Sequence, residues 1–135
     1  MQYNFKNMME IDGILIGNDK PCYMIAEIGI NHNGKLALAI EMIKQSKSVG
    51  FDAVKFQKRH NIELLTKDQY NAPHPKPTNS YGDTYGAHRE FLEFTVEQHQ
   101  ELKDYCESLD IVYSCSVWDT TSAKEIAILK PQFIK

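Results

Sequence analysis

The chain of 135 residues is 42% hydrophobic and 24% charged, a composition typical of a globular domain with one apolar core. A formal net charge of -3, the lack of a basic run and the lack of roughly 18 consecutive apolar residues disfavour nucleic-acid and membrane partners. Three cysteines without C-x-x-C spacing, Cys22, Cys106 and Cys115, indicate reduced thiols, so we expect a cytoplasmic protein that acts on small molecules.

The first half of the chain predicts a strand or hairpin, then a strand, a helix and another strand. Residues 1–20 contain IDGILIG and the turn residues after it, which favour the N-terminal strand or hairpin. The apolar run YMIAEIG at 23–29 predicts a strand, and the periodic segment 36–50 predicts a helix that ends at Gly50. FDAVKFQ at 51–57 predicts the next strand.

The second half repeats this alternation of strands and helices. Capping-box spacing, a hydroxyl residue three positions before Gln or Glu, opens two helices at Thr95 with Gln98 and at Ser122 with Glu125. The predicted elements are a helix over 95–110, a strand over 111–116, a helix over 122–129 and a strand over 133–135.

Strands that alternate with helices predict parallel βα units, which leaves two architectures. A doubly wound sheet suits the length, but neither G-x-G-x-x-G nor a P-loop follows the first strand. A (β/α)₈ barrel needs about 250 residues, so this chain would supply its first half.

Polar residues near the C-terminal ends of the predicted strands indicate one pocket. Side chains two apart on a strand share a face, and active sites of parallel α/β folds lie at that end of the sheet. Glu27, Lys55, Ser116 and Lys135 should therefore converge. The excess of positive charge favours an anionic ligand, although a Glu and a Lys inside a barrel can also form a purely structural ion pair.

A long interval of 38 residues, from Gln57 to Phe94, points to the same rim because structureless loops beyond about 12 to 15 residues are usually functional. An insertion without a role is the alternative. The interval contains a group of residues suited to covering a polar ligand, namely Tyr81, Tyr85, His88 and Arg89. The five histidines of the chain include no H-E-x-x-H or similar pairing, so no metal ligand is predicted.

Five segments together are similar to a known family: IAEIGINHNG, DAVKFQ, SYGDTYGAHREFLEF, YSCSVWD and PQFIK. From about residue 11 to the last residue, the chain resembles the N-terminal part of the N-acetylneuraminate (sialic acid) synthase family. The resemblance implies that residues 21–135 are part of a (β/α)₈ barrel that stops at its fourth strand. In that family a small antifreeze-like domain follows the barrel, and the enzymes are domain-swapped homodimers.

The resemblance also implies an activity. Family enzymes condense phosphoenolpyruvate with N-acetylmannosamine, or a related hexosamine, to a nine-carbon sialic acid and phosphate, with a divalent metal, commonly manganese. Its ligands would lie beyond Lys135. By the same resemblance Glu27 is the catalytic carboxylate, Lys55 and Lys135 bind phosphoenolpyruvate, Ser116 lies near its phosphate, and Tyr81 belongs to a loop that meets the sugar.

Two other functions stay open from the residues. Lys55 or Lys135 can form a Schiff base in an aldolase or lyase of barrel type, or the chain is a non-catalytic half-barrel that binds a ligand. As an incomplete fragment of a synthase, the chain alone is expected to be inactive, marginally stable and prone to self-association.

Overall fold

The computed structural model describes residues 8–135. Its first element is an antiparallel hairpin of β1 (Met8–Ile11) and β2 (Ile14–Gly17). The predicted N-terminal strand or hairpin covered residues 1–20, and the first seven of these lie outside the described residues. At the hairpin turn Asp12 accepts a hydrogen bond of 3.0 Å from the side-chain amide of Gln132. The hairpin turn therefore lies near the segment that enters the last strand.

Four parallel strands form the main sheet, in the order β3 (Ile25–Gly29), β4 (Ala53–Lys58), β5 (Val112–Val117) and β6 (Phe133–Ile134). The spatial order equals the chain order. A doubly wound sheet reverses its strand order at a switch point, whereas consecutive barrel units do not. Within the described residues the sheet therefore has the arrangement of successive barrel strands, with β3 and β6 as its outer strands.

Three long helices lie in the connections between consecutive strands of this sheet: α1 (Leu36–Ser48), α5 (Val96–Ser108) and α6 (Thr120–Ile128). The long interval after β4 contains α2 (Asn61–Leu64), α3 (Lys67–Asn71), a 3-10 turn (Pro77–Asn79) and α4 (Tyr85–Phe91). The core packs strand residues such as Phe56 against helix residues such as Ile43, Leu102 and Ile126, all fully buried. Within residues 8–135, no helix combines the length and apolar character that a bilayer crossing requires.

The start of α6 differs from the prediction. The expected capping box at Ser122 and Glu125 is wrong, because the helix begins at Thr120 with Asp119 as its N-cap. The Asp119 carboxylate accepts from the Ser122 amide at 2.7 Å, from the Ser122 hydroxyl at 2.8 Å and from the His60 amide at 2.8 Å. Glu125 is consequently free to contact the His60 ring, with 2.9 Å between Oε2 and Nε2.

Candidate active site

An ion pair between Glu27 and Lys55 lies near the C-terminal ends of β3 and β4, where the two residues are register partners. The Lys55 side chain is only 7% exposed and that of Glu27 is 62% exposed. A buried ammonium is costly without a partner, so Glu27 stabilises Lys55 while its carboxylate still reaches solvent. The register shifts between Glu27 and Gly29, an irregularity of the kind that re-aims side chains next to active sites.

Ser116 and Lys135 lie one step further along the same face of the sheet. Ser116 is the register partner of Gln57, just as Ser114 is the partner of Lys55. Lys135 is held beside Ser116 through the backbone, because its N–H donates to the Cys115 carbonyl at 3.1 Å and its own carbonyl accepts from Val117 at 3.0 Å. Its side chain is exposed. The structure thus places the four predicted residues on one rim.

Gln57 is a rim residue that the predicted site did not include. It lies between the Lys55 position and the end of β4, and its amide packs against Gly29, where a Cβ atom would stand 3.3 Å from Gln57 Nε2. The signal for it was present in the sequence, since Gln57 shares the strand face of Lys55.

Tyr81 lies in a cleft of about 470 Å³ on the same side of the sheet. The cleft is bounded by the turn after β3, by the segment around the 3-10 turn and by α4. Amide and hydroxyl groups dominate its lining, which consists of Ile30, Asn31, Asn33, Thr78, Asn79, Ser80, Tyr81, His88 and Leu92. The structure therefore brings Tyr81 to the turn that follows the strand of Glu27.

The turn after β3 has a geometry that its sequence NHNG explains. Asn33 and Gly34 have positive φ angles of 53° and 69°. A Cβ atom at Gly34 would stand 2.5 Å from the Phe91 carbonyl oxygen, so only glycine lets α4 approach. His32 is buried, its ring stacks on Phe94 with centroids 4.0 Å apart, and it accepts a hydrogen bond from the Gly34 amide at 3.2 Å. Burial lowers the pKa of His32 to about 4.

A buried ion pair closes the base of the long interval. Arg59 follows β4 and Glu93 precedes α5, and their side chains are 8% and 7% exposed. Arg59 Nε contacts Glu93 Oε1 at 2.6 Å, and the Arg59 amide donates to Oε2 at 3.0 Å. Burial raises the pKa of Glu93, against the lowering effect of Arg59. This ion pair therefore holds the two ends of the long interval together. Hydrophobic periodicity cannot predict such a contact, because the two residues are far apart in the sequence.

Metal and thiol chemistry have little support in the described part of the chain. Residues 8–135 contain no group of three or more His, Cys, Asp or Glu side chains that could hold a metal ion. The divalent metal implied by the resemblance thus finds no ligand set there. Cys106 and Cys115 are buried, which raises the pKa of each thiol to about 12 and disfavours the reactive thiolate.

Comparison with known proteins identifies the family. The family model described as the NeuB family matches residues 42–135. The chain belongs to the NeuB family. One curated relative is the N-acetylneuraminate-9-phosphate synthase of Homo sapiens, 36% identical over 123 residues, which are 91% of this chain and 34% of that protein. Another is the N,N'-diacetyllegionaminic acid synthase of Legionella pneumophila, 35% identical over 106 residues, 78% of this chain and 30% of that protein.

A solved NeuB-type structure has the same fold. It is the N-acetylneuraminic acid (sialic acid) synthetase of Leptospira borgpetersenii, crystallised with citrate, with a TM-score of 0.74 and 22% identity over 94% of this chain and 40% of that chain. The resemblance to sialic acid synthases and the α/β half-barrel prediction are thereby confirmed. The chain spans about a third of the length of the curated relatives it matches.

Proposed function

We propose that the full-length protein condenses phosphoenolpyruvate with N-acetylmannosamine or a related hexosamine to a nine-carbon sialic acid and phosphate. The observation that carries this proposal is the Glu27–Lys55 ion pair at the C-terminal rim of a NeuB-family sheet. Active sites of (β/α)₈ enzymes occupy that rim. The relatives' names, which describe synthases of sialic-acid-type sugars, support the same reaction class.

The rim offers groups suited to both charges of phosphoenolpyruvate. Lys55 lies on β4 and Lys135 directly follows β6, so one can pair with the phosphate and the other with the carboxylate. The hydroxyl of Ser116, on β5 between them, would donate to a phosphate oxygen. Two anchors at a fixed separation orient the enol, and orientation of this kind removes a large entropic part of a bimolecular barrier.

The reaction then needs one bond formed, one water added and one bond broken. The enol methylene carbon attacks the aldehyde carbon of the open-chain sugar, whose oxygen takes up a proton, and positive charge develops on the carbon that bears the phosphate. Water attacks that carbon and gives one proton to Glu27. The resulting tetrahedral intermediate then collapses: its hydroxyl loses the second proton to solvent as the ketone forms, the bond from this carbon to the phosphate oxygen breaks, and inorganic phosphate leaves. The solvent-accessible carboxylate of Glu27 suits both stabilisation of the cation and removal of the proton.

The hexosamine would occupy the cleft that contains Tyr81. Its volume of about 470 Å³ is that of a small-molecule site, and its amide and hydroxyl lining suits a polyhydroxylated ligand. A divalent metal, commonly manganese, a domain-swapped homodimer and a cytoplasmic location belong to the same proposal. The free state of Cys22, Cys106 and Cys115 supports the last point.

The test is a phosphate-release assay on the full-length protein with mass spectrometry of the sugar product. Phosphate release that requires both substrates and yields a nine-carbon acid is the expected result. A pyruvate adduct trapped on Lys55 or Lys135 by borohydride would instead identify a Schiff-base lyase. Calorimetric binding of phosphoenolpyruvate without any turnover would identify a binding module.

A further inference from the structure

His88 supports Tyr81 through both its backbone and its ring. The Tyr81 amide donates a hydrogen bond to His88 Nδ1 at 3.2 Å. The two rings stack with centroids 5.6 Å apart and planes 11° apart, and the Tyr81 ring also stacks on Phe91 with centroids 4.4 Å apart. His88 and Phe91 both belong to α4. The position of Tyr81 in the cleft therefore depends on the face that α4 presents to it.

The hydrogen bond requires one protonation state of His88. An imidazole Nδ1 that accepts a hydrogen bond carries no proton, so the ring is neutral with its proton on Nε2. When the ring becomes charged, Nδ1 also carries a proton, and two donors then face each other at the Tyr81 amide. Protonation of His88 consequently removes the bond that holds Tyr81 and replaces it with a repulsive contact.

The surroundings of His88 favour the neutral ring. His74, from the proline-rich segment, lies with its ring centroid 4.3 Å from that of His88. Tyr85 stacks at 6.5 Å from within α4, and the guanidinium of Arg89 lies over the Tyr85 ring. Partial burial, His74, Arg59 and Arg89 all lower the pKa of His88 from its ordinary value.

We propose that His88 is a positioning residue for the hexosamine: its neutral ring holds Tyr81 in the cleft, and protonation of that ring releases Tyr81. This inference rests on the proposed synthase function. The two substrates should then respond differently to acid. Binding of the hexosamine weakens as His88 becomes charged. The hydrogen bond and ring contacts described for His88 join it to Tyr81, His74 and Tyr85, and none of them involves the rim residues Glu27, Lys55 and Ser116 that would receive phosphoenolpyruvate.

The first test compares His88→Asn with His88→Leu in the full-length protein between pH 5 and 7.5. The Asn side-chain oxygen can replace Nδ1 as an acceptor but does not titrate, whereas Leu offers no acceptor. For the wild type we expect the KM for the hexosamine to rise as pH falls. The phosphate of phosphoenolpyruvate itself titrates at about pH 6, so the criterion for this substrate is that its KM follows the same pH profile in the wild type and in His88→Asn. His88→Asn should lose the rise, and its hexosamine KM at neutral pH should lie below that of His88→Leu, because Asn keeps an acceptor for the Tyr81 amide. His88→Leu should raise the hexosamine KM about tenfold at every pH, the scale of one lost hydrogen bond.

His74→Asn is the matched control, because it removes the neighbouring ring and leaves the Tyr81–His88 bond intact. His74→Asn should leave the hexosamine KM at neutral pH unchanged. The rise of that KM on acidification, the acid limb of its pH profile, should begin at a higher pH, because His74 lowers the pKa of His88. A His88→Leu protein with a wild-type hexosamine KM, or a His88→Asn protein that keeps the acid limb, would overturn the proposal.

A second measurement separates this inference from the reaction itself. In full-length protein labelled with ¹⁵N-tyrosine, the Tyr81 amide signal, assigned with Tyr81→Phe, should shift with the midpoint of the His88 ring titration. Coupled titration in a protein that releases no phosphate would refute the synthase function and leave the Tyr81–His88 coupling standing. A Tyr81 amide that ignores the His88 titration would refute the coupling, whatever the activity.

Discussion

Glu27 and Lys55 share an ion pair in which one partner is buried and the other is accessible. If Glu27 removes the proton of the attacking water, Glu27→Gln should lower turnover by roughly 10² or more, the usual scale for a lost acid–base group. Phosphoenolpyruvate binding, measured by calorimetry, should stay within a few-fold, since Gln still accepts a hydrogen bond from Lys55. Glu41→Gln on the exposed side of α1 is the control, and near-normal turnover of Glu27→Gln would contradict the assignment.

Lys55 has a separate role that binding experiments can isolate. Lys55→Met should weaken phosphoenolpyruvate binding by about 2 kcal/mol or more, because a phosphate or carboxylate is left poorly paired in a desolvated site. Binding of the hexosamine should change much less. Lys103→Met, which removes a mostly buried lysine and its pair with Glu107 within α5, should affect neither ligand. Equal losses for both ligands would mean that Lys55 mainly stabilises the barrel.

At the scale of elements, the turn after β3 and the helix α4 meet at Gly34. Gly34→Ala should destabilise the protein more than Gly50→Ala, although both glycines have positive φ angles, 69° and 89°. Each substitution carries the backbone cost of about 1 kcal/mol, but only Gly34 faces the Phe91 carbonyl, and overpacking adds about 1 to 3 kcal/mol. Urea denaturation measures the difference, and equal midpoints for the two variants would refute the contact.

The predicted and observed helix starts differ where two neighbouring residues could each serve as the N-cap. The capping box at Thr95 was predicted correctly, and both of its hydrogen bonds form. At α6 the same pattern failed, because Asp119 is a better acceptor and also receives the His60 amide from another part of the chain. The helices of the long interval, α2, α3 and α4, have only four to seven residues. Hydrophobic periodicity could not predict them, because so few residues do not show a helical period.

For the whole molecule, two buried neutral histidines predict acid sensitivity. Burial lowers the pKa of His32 to about 4 and that of His99 to about 3, below the ordinary value of 6.5. Below pH 6.5 the unfolded chain binds protons that the folded chain refuses, so the free energy of unfolding falls as pH drops towards 4. Denaturation midpoints at pH 7 and 4.5 measure the slope. His99→Asn should flatten it, and an unchanged slope would exclude His99 as its source.

The sheet edges predict how the 135-residue chain behaves by itself. Within residues 8–135, the outer strands β3 and β6 each pair with one neighbouring strand, and Ile25 and Phe133 on them are only half-buried. Exposed edges of this kind promote pairing between chains. We expect the chain to self-associate on size-exclusion chromatography, to melt broadly and to release no phosphate. A monomer with a sharp melt would contradict this expectation.

Local patterns were sufficient for the βα order and for the strand face shared by Glu27, Lys55, Ser116 and Lys135, because strand parity and helical period are properties of neighbouring residues. The tertiary structure alone determined how the long interval after β4 packs beside the site. Arg59 and Glu93 are 34 residues apart in the chain, and the contact between Gly34 and α4 likewise joins distant segments. Such contacts form when the long interval packs against the sheet and its neighbouring turn. Hydrophobic periodicity cannot predict them, because it reports only on residues that are close in the sequence.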